Sequence, residues 1–337
     1  MIPPRTEKLL KFYKQFSNDD HVLVLINADP DAIASAMAVK RLLWRKVASV
    51  VIAHCNVIKR PDNLTMIGVL GVNMIHFNDI DASRYNRIVM VDSQPSHGEA
   101  MGRFEPHVII DHHPESGTSK AAGFADIRPK YGATASILTE YLRAARIKPS
   151  AKLATGLFFA IKNDTSSFER KTLIEDLRAF QFLFRYANPF LVRRIEQAEL
   201  KPEFLKYFRI ALESRKMRKG KVYVDLGPVI SPDVCVLIAD FFMRVSNVKW
   251  SVVSGRCDKK LVVIFRNDGI RKNAGKVAKE SFGQIGSAGG HKSMARAELA
   301  LSDLKDLVDW KDSKKLSRWI VQRVEKRTAP KPKNGKS

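Results

Sequence analysis

Apolar runs that stop at a carboxylate organise the first half of the chain. Residues 22–28, VLVLINA, are long enough for one buried strand, and Asp29, Pro30 and Asp31 follow at once. A second run at 87–91 is closed by Asp92, and a third at 108–110 by Asp111, His112 and His113. Between them lie segments with apolar residues near helical spacing: 32–44, carrying Ile33, Met37 and Trp44, and a shorter one at 63–70. The pattern adds strands at 47–53 and 73–77, a loop around 116–123, and helices at 132–142 and 153–161, the latter leading into Asp164. Strands alternating with helices predict an α/β domain built on a parallel sheet. From 173 to about 212 the period is helical throughout.

A basic stretch at 215–221, RKMRKGK, holds a glycine that suits a hinge, and a smaller α/β pattern follows it. Its strands are expected at 222–226, 249–254, 261–266 and 295–299, and its helices at 232–242, 274–282 and 304–323. Pro232 fits the first turn of the first of these helices. The chain thus divides into a parallel-sheet domain at 1–185, a helical connector and hinge at 186–220, a smaller α/β domain at 221–324, and a basic tail at 325–337 whose composition marks it as disordered.

Length and composition narrow the function. The 337 residues suffice for two cores, and 45% hydrophobic with 28% charged residues is the balance of a folded chain. No run of about 18 apolar residues occurs, which argues against a membrane span. The N-terminal stretch lacks a signal-peptide pattern and reads as an amphipathic helix, so the cytoplasm is the expected compartment. Cys55, Cys235 and Cys257 are too scattered to suggest a disulfide framework or a thiolate metal cluster. A formal charge of +23 favours anionic partners, nucleic acid or phosphorylated nucleotides.

Asp29, Asp31, Asp92, Asp111, His112, His113 and Asp164 obey one positional rule: each follows an apolar element where the chain turns. Open sheets bind their ligands at such strand ends. Carboxylates crowded there repel unless cations neutralise them, and hard divalent ions accept both carboxylate and imidazole ligands. Two ions sharing a bridging carboxylate would activate a water against a phosphate ester. A second role stays open for Asp29 and Asp31, because carboxylates at a helix start also cap its exposed amides.

Four ordered motifs, Asp29-Pro-Asp-Ala-Ile-Ala-Ser35, Val91-Asp92-Ser-Gln-Pro95, Asp111-His112-His113-Pro114 and Asn163-Asp164-Thr-Ser-Ser-Phe168, resemble those of the DHH phosphoesterase superfamily. That superfamily includes RecJ-like exonucleases and oligoribonuclease and phosphoadenosine-phosphate phosphatases. Gly289-Gly290-His291-Lys-Ser-Met-Ala-Arg296 resembles the signature of the associated C-terminal DHHA1 domain. The resemblance implies two divalent cations, Mn²⁺ first and Mg²⁺ as the alternative, bridged by Asp92 and Asp164. Asp29 would hold one ion, and Asp31 with His112 the other. His113 would face the scissile phosphate as donor or general acid, with Asp111 orienting the histidines. Gly289, Gly290 and His291 would receive a substrate phosphate, with Lys292, Arg296 and Arg266 as further contacts.

The activity so implied is hydrolysis of short oligoribonucleotides or 3′-phosphorylated adenosine nucleotides in the cleft between the domains; a homodimer is left open. Two departures are visible. The positions of the family's first-motif histidine hold Leu25 or Asn27, depending on the form of the motif, and Ser287-Ala288 precedes only two glycines. These keep a second reading alive, a nucleotide- or RNA-binding protein of the same fold.

Overall fold

The computed structural model describes residues 4–58, 60–115, 117, 122–169, 172–197 and 202–328. It divides into two units, Met1–Glu199 and Leu200–Ser337.

Six strands form the sheet of the first unit: β1 (His21–Ile26), β2 (Ser49–His54), β3 (Ile75–His76), β4 (Arg87–Val91), β5 (Val108–Asp111) and β6 (Phe124–Ile127). Their order is β3-β2-β1-β4-β5-β6, and every pairing is parallel. The chain walks outward from β1 to β3, returns to lay β4 beside β1, and then walks outward the other way. The sheet order therefore reverses between β1 and β4, which opens a crevice at their C-terminal ends. Along β1, Val22, Val24 and Ile26 enter the larger core while Leu23 and Leu25 enter a smaller one on the opposite face. This period-two alternation, buried on both sides, is why the strand reads as a continuous apolar run.

The helices of this unit are α1 (Pro4–Tyr13), α2 (Pro30–Leu42), α3 (Pro61–Leu70), the single turn α4 (Glu99–Gly102), α5 (Thr134–Ala144), α6 (Ala151–Asp164), α7 (Ile174–Phe184) and α8 (Pro189–Glu196). Proline at the start of α2, α3 and α8 sits where a missing N–H costs nothing. Two results differ from the sequence reading. The strand β6 follows the expected loop, most of which lies outside the described residues, and it pairs with β5 in the register Asp111 opposite Ile127. Asp164 is the last residue of α6 rather than a residue beyond it.

The second unit holds α9 (Leu205–Ser214), β7 (Lys216–Arg218), β8 (Lys221–Pro228), α10 (Pro232–Phe242), β9 (Trp250–Cys257), β10 (Lys260–Asn267), α11 (Ala274–Phe282), β11 (Ser287–Gly290), β12 (Met294–Ala300) and α12 (Ser313–Thr328). Its sheet order is β11-β12-β10-β9-β8-β7, with only β8 and β9 parallel. The stretch read as a hinge is instead a tight hairpin: β7 pairs antiparallel with β8 across Lys219 and Gly220, both in the left-handed region. Gly220 O accepts from the Lys249 and Trp250 amides, which ties that turn to β9. The residues expected to be connector are divided, with α8 in the first unit and α9 and β7 in the second. The last helix begins at Ser313 instead of 304, because Asp312 Oδ1 accepts from the Lys314 and Lys315 amides and caps it there. It runs to Thr328, through the first residues expected to be disordered; residues 329–337 lie outside the described ones. Among the described residues, no helix is long and apolar enough to cross a membrane.

Candidate metal centre

Asp29 and Asp31 leave the end of β1 as α2 begins, and they do different things. Asp29 is the N-cap of α2, its Oδ1 accepting from the Ala32 amide at 2.9 Å. Asp31 is buried and reaches a different helix. Its carboxylate accepts from the Thr134 and Ala135 amides, at 2.6 and 2.8 Å, the first two residues of α5. One aspartate thus satisfies helix-start donors that α5 cannot satisfy itself, and pins α5 to the crevice. Burial and the nearby Asp164 still push the Asp31 carboxyl up to about 7.

Asp92 follows β4 with φ at +56°, a left-handed conformation rare outside glycine. Its amide donates to Ile110 O at 2.9 Å, and its Oδ1 accepts from Thr134 Oγ1 at 2.7 Å. Burial first, then repulsion from Asp31 and Asp29, raises its carboxyl well above the usual range. His112 lies opposite. Tyr131 O, 3.2 Å from Nδ1, can only accept, so Nδ1 carries a proton and Nε2 faces the acids. Nε2 is 3.2 Å from Asp164 Oδ2 and 3.6 Å from Asp92 Oδ1.

Asp111 organises the next layer. It is fully buried, accepts from Gln94 Nε2 at 2.6 Å and from the His113 amide at 3.1 Å, and meets His113 Nδ1 at 2.8 Å. Burial works against its charge, but these bonds outweigh it and hold the carboxyl below its usual range. An ionised Asp111 takes the His113 Nδ1 proton as a hydrogen bond, raises the pKa of that ring, and leaves Nε2 of a half-exposed imidazole free to meet a ligand. His97, which the sequence reading passed over, stands against His113 with ring centroids 5.2 Å apart. Its Nδ1 accepts from the Gln94 amide at 3.3 Å. The available signal was its place in the turn that Asp92 opens. Thr134 was also passed over, and no local pattern marks it.

Three groups of donors converge here, each with its atoms within 4.8 Å of one another: Asp31, His112 and Asp164; Asp92, His112 and His113; His97, Asp111 and His113. Asp29 belongs to none of these groups. The donors fit a hard divalent cation. His112 Nε2 is buried and makes no hydrogen bond of acceptable geometry despite its closeness to Asp164. Among the described residues, no lysine or arginine nitrogen lies within 4.0 Å of the carboxylates of Asp31, Asp92 or Asp111. Without a metal, His112 itself takes up a second proton: although burial opposes it, the Asp164 contact and the field of Asp31 push His112 up to about 9. Metal binding would displace that proton. Leu25 is buried in the smaller core and Asn27 is exposed just past β1, so leucine supplies nothing to the crevice.

The second-unit candidates share one region of their own sheet. Arg296 on β12 pairs with Gly289 on one side and Ile264 on the other, which places Arg266, two residues along β10, on the same face. Space is open above Gly289. Gly290 is different: a Cβ there would lie 2.4 Å from Met294 O, and one on Gly275 of α11 would lie 2.2 Å from Gly290 O. Those glycines let a hairpin seat against α11, whose first amides donate to His291 O and Lys292 O. The region is therefore a strand hairpin and not a free phosphate loop, and its helix-start amides are already used. Arg266 is bonded to Asp240 at 2.6 Å and Arg296 to Glu298 at 2.7 Å, while the side chains of His291 and Lys292 are exposed.

Residues 21–161, the segment carrying β1 to α6 and almost every donor above, match the DHH family, N-terminal domain. Over this segment the first unit is similar to DHH N-terminal domains. An uncharacterized protein of Methanocaldococcus jannaschii is 34% identical over 296 residues, 88% of this chain. The chain spans 61% of that relative's length. Among solved structures, an exopolyphosphatase-related protein from Bacteroides fragilis shares the fold with a TM-score of 0.69, 14% identity, and coverage of 95% of this chain and 96% of that one. The exonuclease RecJ bound to manganese is similar at a TM-score of 0.50 and 11% identity, over 98% and 96% of the two chains. Both show that the chain shares a known fold.

Proposed function

We propose that the chain is a divalent-metal-dependent phosphoesterase acting on short anionic nucleotides, either an oligoribonucleotide of a few residues or a 3′-phosphorylated adenosine nucleotide. The observation that carries this reading is the convergence of Asp31, Asp92 and Asp164 on the buried His112 Nε2, with no lysine or arginine nitrogen among the described residues within 4.0 Å of Asp31 or Asp92. Asp31, Asp92, Asp164 and His112 would hold the metal, Mn²⁺ or Mg²⁺, with Asp29 nearby as a further candidate. A bound divalent cation supplies a water of lowered pKa and charge stabilisation at the phosphoryl oxygens. The chain's own residues do the rest. Tyr131 O keeps His112 in the tautomer that can ligate, and Thr134 holds Asp92. Asp111 keeps the His113 Nδ1 proton in place, so that Nε2, when protonated, can donate to a leaving oxygen. In the second unit, the exposed His291 and Lys292 are candidate contacts for an anion, with Arg296 beside Gly289 and Arg266 on the same face held by Glu298 and Asp240.

The test is Mn²⁺-dependent turnover of a short RNA and of phosphoadenosine phosphate in parallel, with Asp92→Asn, Asp164→Asn as the blank. Turnover of one substrate, lost in the variant, is the expected result and selects the substrate branch. A second reading, a nucleotide-binding protein of this fold, is favoured by Leu25 and Asn27 in place of a first-motif histidine. Saturable nucleotide binding with no turnover above the blank would select it.

A further inference from the structure

The helix α7 carries a cationic stripe beside the C-terminal end of α5. Arg178, Gln181, Phe182 and Arg185 recur at the three- and four-residue spacing that aligns side chains on one face, and Arg143 from the last turn of α5 joins them around a cavity of about 270 Å³. Arg143 Cζ lies 5.3 Å from the Phe182 ring centroid, and Lys148 Nζ 5.6 Å from that of Tyr186. The two rings meet edge-on at 5.3 Å. Of the three arginines, only Arg178 reaches a carboxylate, Glu175 at a loose 3.8 Å; among the described residues Arg143 and Arg185 have none within 4.0 Å.

Three guanidinium groups around one cavity repel one another until an anion joins them. Their planar forks match phosphate oxygens. The stripe from Arg178 to Arg185 runs about 10 Å along the helix, longer than one phosphate. Arg143 stands nine residues along α5 from Thr134, about 13 Å along the helix axis. We propose that this groove between α5 and α7 binds the phosphodiester backbone of single-stranded nucleic acid, at a site separate from the candidate metal centre. Hydrolysis is not required for it.

The experiment measures fluorescence anisotropy of a labelled single-stranded oligoadenylate in EDTA across a potassium chloride series. It compares the full chain with Arg143→Gln, Arg178→Gln, Arg185→Gln. A control, Lys276→Gln, Lys305→Gln, Lys314→Gln, removes the same charge from exposed positions elsewhere. The groove variant should bind at least about tenfold more weakly, with a salt slope shallower by about 2, since each lost phosphate contact on a single strand removes about 0.7. The control should stay near the parent. Equal weakening in both variants, or an unchanged slope in the groove variant, overturns the proposal. Should the triple variant unfold, Arg185→Gln alone must still flatten the slope by about 0.7.

Discussion

The first unit buries two acid clusters on neighbouring elements, and their carboxyl pKa values are shifted in opposite directions. Asp126 on β6 accepts from Arg128 Nη2 at 2.6 Å, Lys8 Nζ at 2.5 Å and Tyr141 Oη at 2.8 Å. Glu140 on α5 accepts from Arg128 Nη1 at 2.8 Å and pairs with Arg5 at 3.0 Å. Burial opposes the charge on Asp126, yet these cations hold its carboxyl below the ordinary value. Around Asp31 and Asp92 the burial is similar, no lysine or arginine among the described residues is paired, and the carboxyls rise. Burial and residue type do not separate a structural acid from a candidate metal ligand. The supply of built-in cations does.

The largest effect that could break this comparison is on stability in EDTA. Arg128→Met leaves Asp126 and Glu140 buried without their main partner and should cost about 3–5 kcal/mol by chemical denaturation. Asp92→Asn should have the opposite sign, a gain of about 0.5–2 kcal/mol, because it relieves a destabilised site. Two changes of the same sign would mean the clusters do not differ as described.

The second effect is on the pH dependence of that stability. A raised folded pKa means that the folded state holds protons the unfolded chain has released. For Asp31 the contribution is therefore fully present below the ordinary value of about 3.9 and is lost as pH rises through about 7. Asp126, with a lowered folded pKa, contributes above about 3.9 and loses its contribution as pH falls through the folded value. Melting followed in EDTA should fall between pH 4 and 7, and Mn²⁺ should remove most of that fall while leaving the acid limb unchanged. An identical profile with and without Mn²⁺ would count against metal binding at the acids.

The smallest effect concerns backbone strain, which the site carries and the ion-pair network does not. Ser166, Ser167 and Phe168, which begin two positions beyond Asp164, all hold positive φ, between 49° and 68°. Left-handed conformation costs a non-glycine residue about 1–2 kcal/mol, partly offset by glycine's greater unfolded freedom. Ser167 is exposed, so Ser167→Gly should raise stability by about 0.5–1 kcal/mol with metal affinity unchanged. A loss of stability would show that the turn is not strained.

Much was legible without coordinates because it depends on local period and composition. The strand at Arg87–Val91 and the helices at Pro232–Phe242 and Ala274–Phe282 lie where apolar spacing and proline put them. The carboxylates that close the apolar runs stand at one edge of one sheet. The sequence could not show β6, a four-residue edge strand with too short an alternation to read, or the hairpin at Lys216–Pro228, where basic side chains looked like linker. Nor could it show that Asp31 would spend its oxygens on the Thr134 and Ala135 amides, more than a hundred positions away, while Asp29 capped its own helix. Sequence determined which residue types end the strands, because that is local chemistry. Only the tertiary structure decided which of those acids meet a built-in cation, because neutralisation depends on what packs within about 4 Å, and chain order does not encode that distance.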